Sequence, residues 1–179
     1  MNALTSFLWL FGLAWGALAF VALSRGSEFS LSSPRFDAGQ PIPRVHTCDG
    51  EDRSPALTWT HVPPGTRAFA LLCDDPDAPM GTWDHWVIYN IPGSATGLAE
   101  GLAAAERLPD GSLQGVNSWG RIGYGGPCPP PGKAHRYYFR LFALDAPLAL
   151  GAGATKAQVL AAMKGHTLAT AEMMGTYER

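Results

Sequence analysis

Asp75, His85 and His135 each stand at the rim of an apolar run in the 179-residue chain. Two imidazoles and a carboxylate could do chemistry together if those runs are neighbouring strands whose ends meet. They would then converge on one pocket floored by Trp83, Trp86 and Tyr137. Two readings of such a pocket stay open. Two histidines and one carboxylate are the ligand set of a non-haem iron site, which keeps positions free for oxygen and substrate; zinc hydrolysis is the variant, without an HExxH spacing behind it. The other reading is an anion pocket, in which a carboxylate orients imidazoles and favours their protonated form.

The stretch GRIGYGGPCPPPGKAHRYYFRLFALD, Gly120 to Asp145, bears on the choice. Gly125-Gly126 can take backbone conformations that aim successive N–H groups at an anion. Pro127, Pro129, Pro130 and Pro131 would fix that loop and leave donors only at chosen places. The anion reading accounts for this composition and the metal reading does not. A nucleophile triad has less behind it, since Ser112, Ser118 and Thr82 lack a GxSxG elbow. Each residue also has a plain structural explanation: Asp75 before Pro76 as a turn former, His85 as a core histidine, His135 as the end of a loop.

The elements that must position these groups follow from hydrophobic patterning. A short strand is expected around Leu57 to Thr60, then a Pro63-Pro64-Gly65 turn and a strand from Arg67 to Asp74. Trp86 to Ile91, bounded by Gly81 and Pro92-Gly93, reads as a strand buried on both faces, as does Arg136 to Leu144. Alternation puts His85 on one side with Val87 and Tyr89, and His135 with Tyr137, Phe139 and Leu141. Ser94 to Gly123 reads as loops with room for one short helix. Thr155-Lys156-Ala157-Gln158 fits a capping box opening a short helix closed by Gly165. For His166 to Met174, periodicity does not choose between strand and helix.

The composition supports a single mainly β domain, because 21 glycines and 15 prolines cluster between apolar runs. A formal charge of -2 without basic runs excludes an electrostatic footprint for nucleic acid. Cys48, Cys73 and Cys128 have no CxxC spacing and an odd count, so they form no disulfide framework, with one bridge open to an exported domain. Leu4 to Leu23 carries no charge and would span about 30 Å as a helix. Residues 1–24 are therefore expected to be a cleaved signal peptide or an uncleaved membrane anchor, with a misassigned start as the third reading. Residues 25–28 would connect it to a domain over 29–179. The expected placement is exported, periplasmic or extracellular, or membrane-anchored, ahead of cytoplasmic.

CDG (Cys48 to Gly50), SPALTW (Ser54 to Trp59), DDPDAP (Asp74 to Pro79), DHWVIYNIP (Asp84 to Pro92), GYGGPCPPPGKAHRYYFRLFALD and the late HTLATAEMMGTY together carry a resemblance. In these blocks the chain resembles the phosphatidylethanolamine-binding or Raf kinase inhibitor protein family, in particular its bacterial branch. The resemblance implies a β-sandwich-like domain with a small pocket for phosphate-like and other anionic head groups. It maps the pocket onto Asp75, the wall aromatic Trp83, His85, the lip residues Gly126 and Pro127, His135 and Tyr137, with Asp77 bracing the loop. It implies non-enzymatic binding with no cofactor. The expected partners are a small phosphorylated or anionic ligand and a protein such as a kinase or protease; a homodimer is compatible. The alternative is a metal-dependent enzyme using the same His/His/Asp cluster. The C-terminal helix of eukaryotic relatives has no counterpart here, so Tyr177 is given no pocket role.

Overall fold

The computed structural model describes residues 28–179. The strands are β1 (Ser30–Ser32), β2 (Leu57–Thr60), β3 (Ala68–Asp75), β4 (Trp83–Pro92), β5 (Gly97–Leu98), β6 (Leu113–Gln114), β7 (His135–Leu144) and, after helix α1 (Lys156–Ala162), β8 (Thr167–Tyr177), the apolar runs forming the long β3, β4 and β7. They make two antiparallel sheets, a small one in the order β1-β2-β5 and a larger one in the order β6-β4-β3-β7-β8. The result is a β-sandwich with one short helix near its C-terminus.

The eight residues of β3 are all buried, which places this strand at the centre of the larger sheet with both faces covered. Phe69, Leu71 and Cys73 face the sandwich core, with Trp86, Ile88, Tyr137, Phe139 and Leu141 of the neighbouring strands and Leu57 and Trp59 of the small sheet. Ala68, Ala70 and Leu72 face the other way, onto a second cluster closed by Val159 and Met163 of the helical segment. Burying a large apolar side chain contributes roughly 1.5–3 kcal/mol, so these two layers are the main source of stability. The buried Cys73 thiol is pushed well up by desolvation, then by Asp74, and is chemically inert.

Helix α1 starts at the expected capping box. The Thr155 hydroxyl accepts the Gln158 N–H, and the Gln158 side chain accepts the Thr155 N–H. The ambiguous tail is a strand: β8 runs antiparallel along β7 from His135↔Tyr177 to Leu144↔Thr167. The Ser94–Gly123 region holds only the two-residue strands β5 and β6, and the short helix allowed for there is not formed.

One expectation about facing is corrected. Cys73 pairs with Trp86 and Asp74 with Asp84, so His85 is an extra residue in β4, a β-bulge. Val87 and Tyr89 lie in the helix-side cluster, whereas His85 packs on Tyr137 of the sandwich core. The bulge breaks the two-residue period and turns His85 to the opposite face.

The expected membrane localisation is corrected as well. Among the described residues no helix is long and apolar enough to cross a membrane. The exported or membrane-anchored localisation finds no spanning helix there to rest on and is not carried further; residues 1–24, read as a signal peptide or anchor, lie outside the described residues.

On the helix side, Asp74 is buried and accepts from Arg140 Nη1 at 2.8 and 2.9 Å and from Lys156 Nζ, which also reaches Asp84 at 2.7 Å. Burial disfavours the Lys156 charge, yet its hydrogen bonds to Asp74 and Asp84 outweigh this and raise its pKa. Asp74→Ala removes the buried carboxylate that Arg140 and Lys156 share, leaving them Glu172 and Asp84 alone, and is expected to cost about 2 kcal/mol in urea unfolding; a loss below about 0.5 kcal/mol would show the cluster to be incidental.

Candidate functional site

The antiparallel order β4-β3-β7 brings the C-terminal end of β3 beside the N-terminal ends of β4 and β7. Asp75, Trp83, His85 and His135 therefore meet at one edge of the sandwich. They line a cavity of about 350 Å³ together with Ala78, Pro79, Met80, Trp119, Cys128, Pro129 and Pro130. The floor is polar and the mouth apolar, with Met80 91% exposed at the rim.

Each floor residue is held by a specific partner. Asp75 uses Oδ2 to accept the His135 Nδ1–H at 2.7 Å and Oδ1 to accept the Asp77 N–H at 2.8 Å. His85 donates Nδ1–H to the Gly125 carbonyl at 2.7 Å and stands edge-on to Tyr137 and Trp119. Both imidazoles thus spend Nδ1 on the protein, and neither Nε2 has a hydrogen-bond partner among the described residues. Burial pushes the His85 imidazole below its ordinary value, against the opposing pull of the Gly125 carbonyl and Asp75. Tyr137 is buried behind His85; desolvation, then Asp75, drives its phenol far above the usual range, and its hydroxyl has no partner among the described residues. The indole N–H of Trp83 is likewise buried and unpaired.

Asp77 braces the rim as expected. Its carboxylate takes two guanidinium bonds from Arg136, at 2.7 and 2.9 Å, and the Arg136 backbone N–H at 3.0 Å. The Arg136 hydrogen bonds hold its carboxyl well below the usual carboxylate range. That stabilisation is present above the ordinary Asp pKa and fades as pH falls towards the lowered value.

The lip differs from its expected role. Gly126 and Pro127 are buried behind the cavity and do not line it. The Gly125 N–H goes to the His85 carbonyl at 2.9 Å and the Gly126 N–H to Asp52 Oδ1 at 2.6 Å, so neither donor is free for an anion. The glycines are required by close approach. A Cβ on Gly125 would lie 2.6 Å from Trp119 Cζ3, and one on Gly126 would collide with the His46 carbonyl and the Asp52 carboxylate. The lip leans on the turn after the short 3-10 segment Arg44–His46 through Tyr124 Oη–H to the His46 carbonyl (2.7 Å), Cys48 N–H to the Pro127 carbonyl (3.1 Å) and the Cys48–Cys128 disulfide.

Sequence reasoning missed Asp52, Trp119, Met80 and the disulfide partner Cys48. Of these, Trp119 carried a faint signal as a large aromatic in a polar turn.

Among the described residues no group of three His, Cys, Asp or Glu side chains is arranged to hold a metal ion. This disfavours the iron or zinc alternative. Cys128 is bridged, and Ser118 Oγ accepts the Asp84 N–H outside the cavity, so neither serves as a nucleophile there.

The sequence profile described as phosphatidylethanolamine-binding protein matches residues 32–178. The chain belongs to this family. Within the family it is 53% identical over 150 residues to a UPF0098 protein of Methanothermobacter thermautotrophicus, covering 84% of this chain and 99% of that one. A UPF0098 protein of Aquifex aeolicus is 46% identical over 156 residues, with 86% and 91% covered. A putative phosphatidylethanolamine-binding protein homologue from Chlamydia trachomatis superposes with a TM-score of 0.78 at 43% identity, covering 84% of this chain and 97% of its own. Escherichia coli YbcL, described as a new member of the mammalian family, also gives 0.78 at 37% identity, covering 86% and 99%.

The bridge that anchors the lip in this member of the phosphatidylethanolamine-binding family closes a loop of sequence separation 80. Thiol titration of the denatured, unreduced protein is expected to find one free thiol, Cys73; three would show that the bridge does not form. Replacing Cys48 and Cys128 by Ser is expected to lower stability by about 3 kcal/mol in urea unfolding.

Proposed function

We propose that the protein is a non-enzymatic binding domain that holds a phosphate-like or other small anionic head group in the Asp75/His85/His135 pocket. Its occupancy would modulate a partner protein such as a kinase or protease. The observation that carries this reading is the pair of imidazoles fixed through Nδ1 with both Nε2 atoms unpaired. Two nitrogens held in this way suit a compact ligand with several oxygens. Membership of a family described as phosphatidylethanolamine-binding supports the same chemistry, as does the absence of a metal-holding cluster among the described residues. Asp75 does not repel such a ligand strongly, because both its oxygens are engaged by N–H donors.

The sign of the pH dependence follows from His85. Its pKa is lowered by burial, so at neutral pH its Nε2 is an acceptor. An anion brought against that nitrogen favours the imidazolium, so binding takes up a proton and tightens as pH falls through the ordinary histidine range.

Titrating the protein with inorganic phosphate between pH 8 and pH 5.5 is expected to move the ring resonances of both His85 and His135, with affinity rising towards the acid end. His85→Ala and His135→Ala should each weaken binding about tenfold, the loss expected for one hydrogen bond to a charged group. Ring resonances unmoved by phosphate at every pH would sink the proposal.

A further inference from the structure

Gly125 and Gly126 share a peptide bond, and the two ends of that one peptide are used in opposite directions. Its carbonyl accepts the His85 Nδ1–H at 2.7 Å, and its N–H donates to Asp52 Oδ1 at 2.6 Å. The three groups form a continuous chain: a carboxylate, a peptide dipole and an imidazole. A negative charge at the N–H end polarises the peptide and makes the carbonyl a better acceptor, and hydrogen bonds linked in this way strengthen one another. The peptide also lies between two residues without a Cβ, where rotation of the peptide plane meets the least steric resistance. Reversing the plane would turn an N–H towards His85 and demand an acceptor there.

We propose that Asp52 is a positioning residue of the pocket: through the Gly125–Gly126 peptide it fixes His85 with Nδ1 protonated and Nε2 free to meet the ligand. The proposal rests on the anion-binding reading for its consequence in affinity, while its consequence for the His85 ring is independent of any ligand.

Three further observations agree with it. Asp52 sits at φ 55°, a left-handed conformation that Asp and Asn tolerate better than most side chains. Its main-chain N–H bonds to the Thr47 carbonyl at 3.3 Å, which ties the residue to the bridged turn. The disulfide between Cys48 and Cys128 clamps that turn to the lip on the far side of the same peptide. Asp52 is exposed overall, so this role is confined to the one oxygen that reaches the lip.

Other groups face His85, and each makes a different contribution. Asp75 lines the same cavity, and its pull on the imidazole exceeds that of Asp52. His135 lines the same cavity, Tyr137 packs edge-on from β7, and Trp119 packs from the lip side with Arg121 over its ring. None of these three contacts the Gly125–Gly126 peptide through a hydrogen bond, so a change at Asp52 is read out through that peptide.

Two substitutions at Asp52 separate charge from hydrogen bonding, and both tolerate the left-handed backbone. D52N keeps an acceptor for the Gly126 N–H and removes the charge, whereas D52G removes both. Nitrogen-resolved spectra of the His85 ring in the full-length protein report which nitrogen carries the proton. We expect the wild type to show protonated Nδ1 and acceptor Nε2, D52N to shift modestly, and D52G to lose the single tautomer. Phosphate affinity at pH 7 should fall about threefold in D52N and about tenfold in D52G, as expected for losing a charge-assisted and then an entire hydrogen bond. His85 nitrogens identical in wild type and D52N overturn the relay, whatever happens to the unfolding midpoint. The same result in D52G would do so again; if D52G does not fold, D52N decides. A wild type that shows the expected ring but does not bind phosphate overturns the anion reading and leaves the relay standing.

Discussion

The burial of β3 on both faces is the constraint from which the site follows. A strand with no exposed residue must be flanked on each side, and here β4 and β7 flank it in antiparallel register. Asp75, at the end of that strand, is then met by Trp83 and His85 at the start of β4 and by His135 at the start of β7. Ligand pockets often lie where strand ends leave a sheet edge, and this one needs no special loop to gather its polar groups. The loops instead finish the job: Asp77 fixes the β3 exit, and the proline-rich lip closes the side nearest His85.

The bulge at His85 is the second determinant. Without the extra residue, the imidazole would project with Val87 and Tyr89 into the helix-side cluster, away from the pocket and the Gly125 carbonyl. With it, the ring stands against Tyr137 and reaches the Gly125 carbonyl. One unpaired residue in a ladder re-aims a side chain at low cost, which is the usual place and purpose of such irregularities. The lip glycines belong to the same logic. They permit Trp119, His46 and the Asp52 carboxylate to crowd the chain, and their N–H groups hold the lip in place.

Much of this was legible in the sequence because it depends on strong local signals. The cores of β3, β4 and β7 announce themselves as apolar runs between glycines and prolines, and α1 by its capping box. The convergence of Asp75, His85 and His135 was readable once those strands were taken as neighbours. β1, β5 and β6 are two or three residues long and carry too few side chains for any period to show. β8 is an outer strand of its sheet whose first half is half-exposed, so its pattern fits a helix as well as a strand. The facing of His85 was illegible because a bulge leaves no compositional trace. Asp52 was invisible because its importance lies in one long-range bond to a backbone N–H, 74 residues away in the chain.

The Cys48–Cys128 bridge gives the molecule a covalent ring that contains β2 to β6. Asp75, Trp83 and His85 lie inside that ring, while His135 and Tyr137 follow it at once along the chain. A single peptide cleavage anywhere between residues 49 and 127 would therefore leave every pocket residue in one covalent piece. In topological language, the site is built on a closed circle with a tail, and the integrity of the circle does not depend on any one loop remaining uncut.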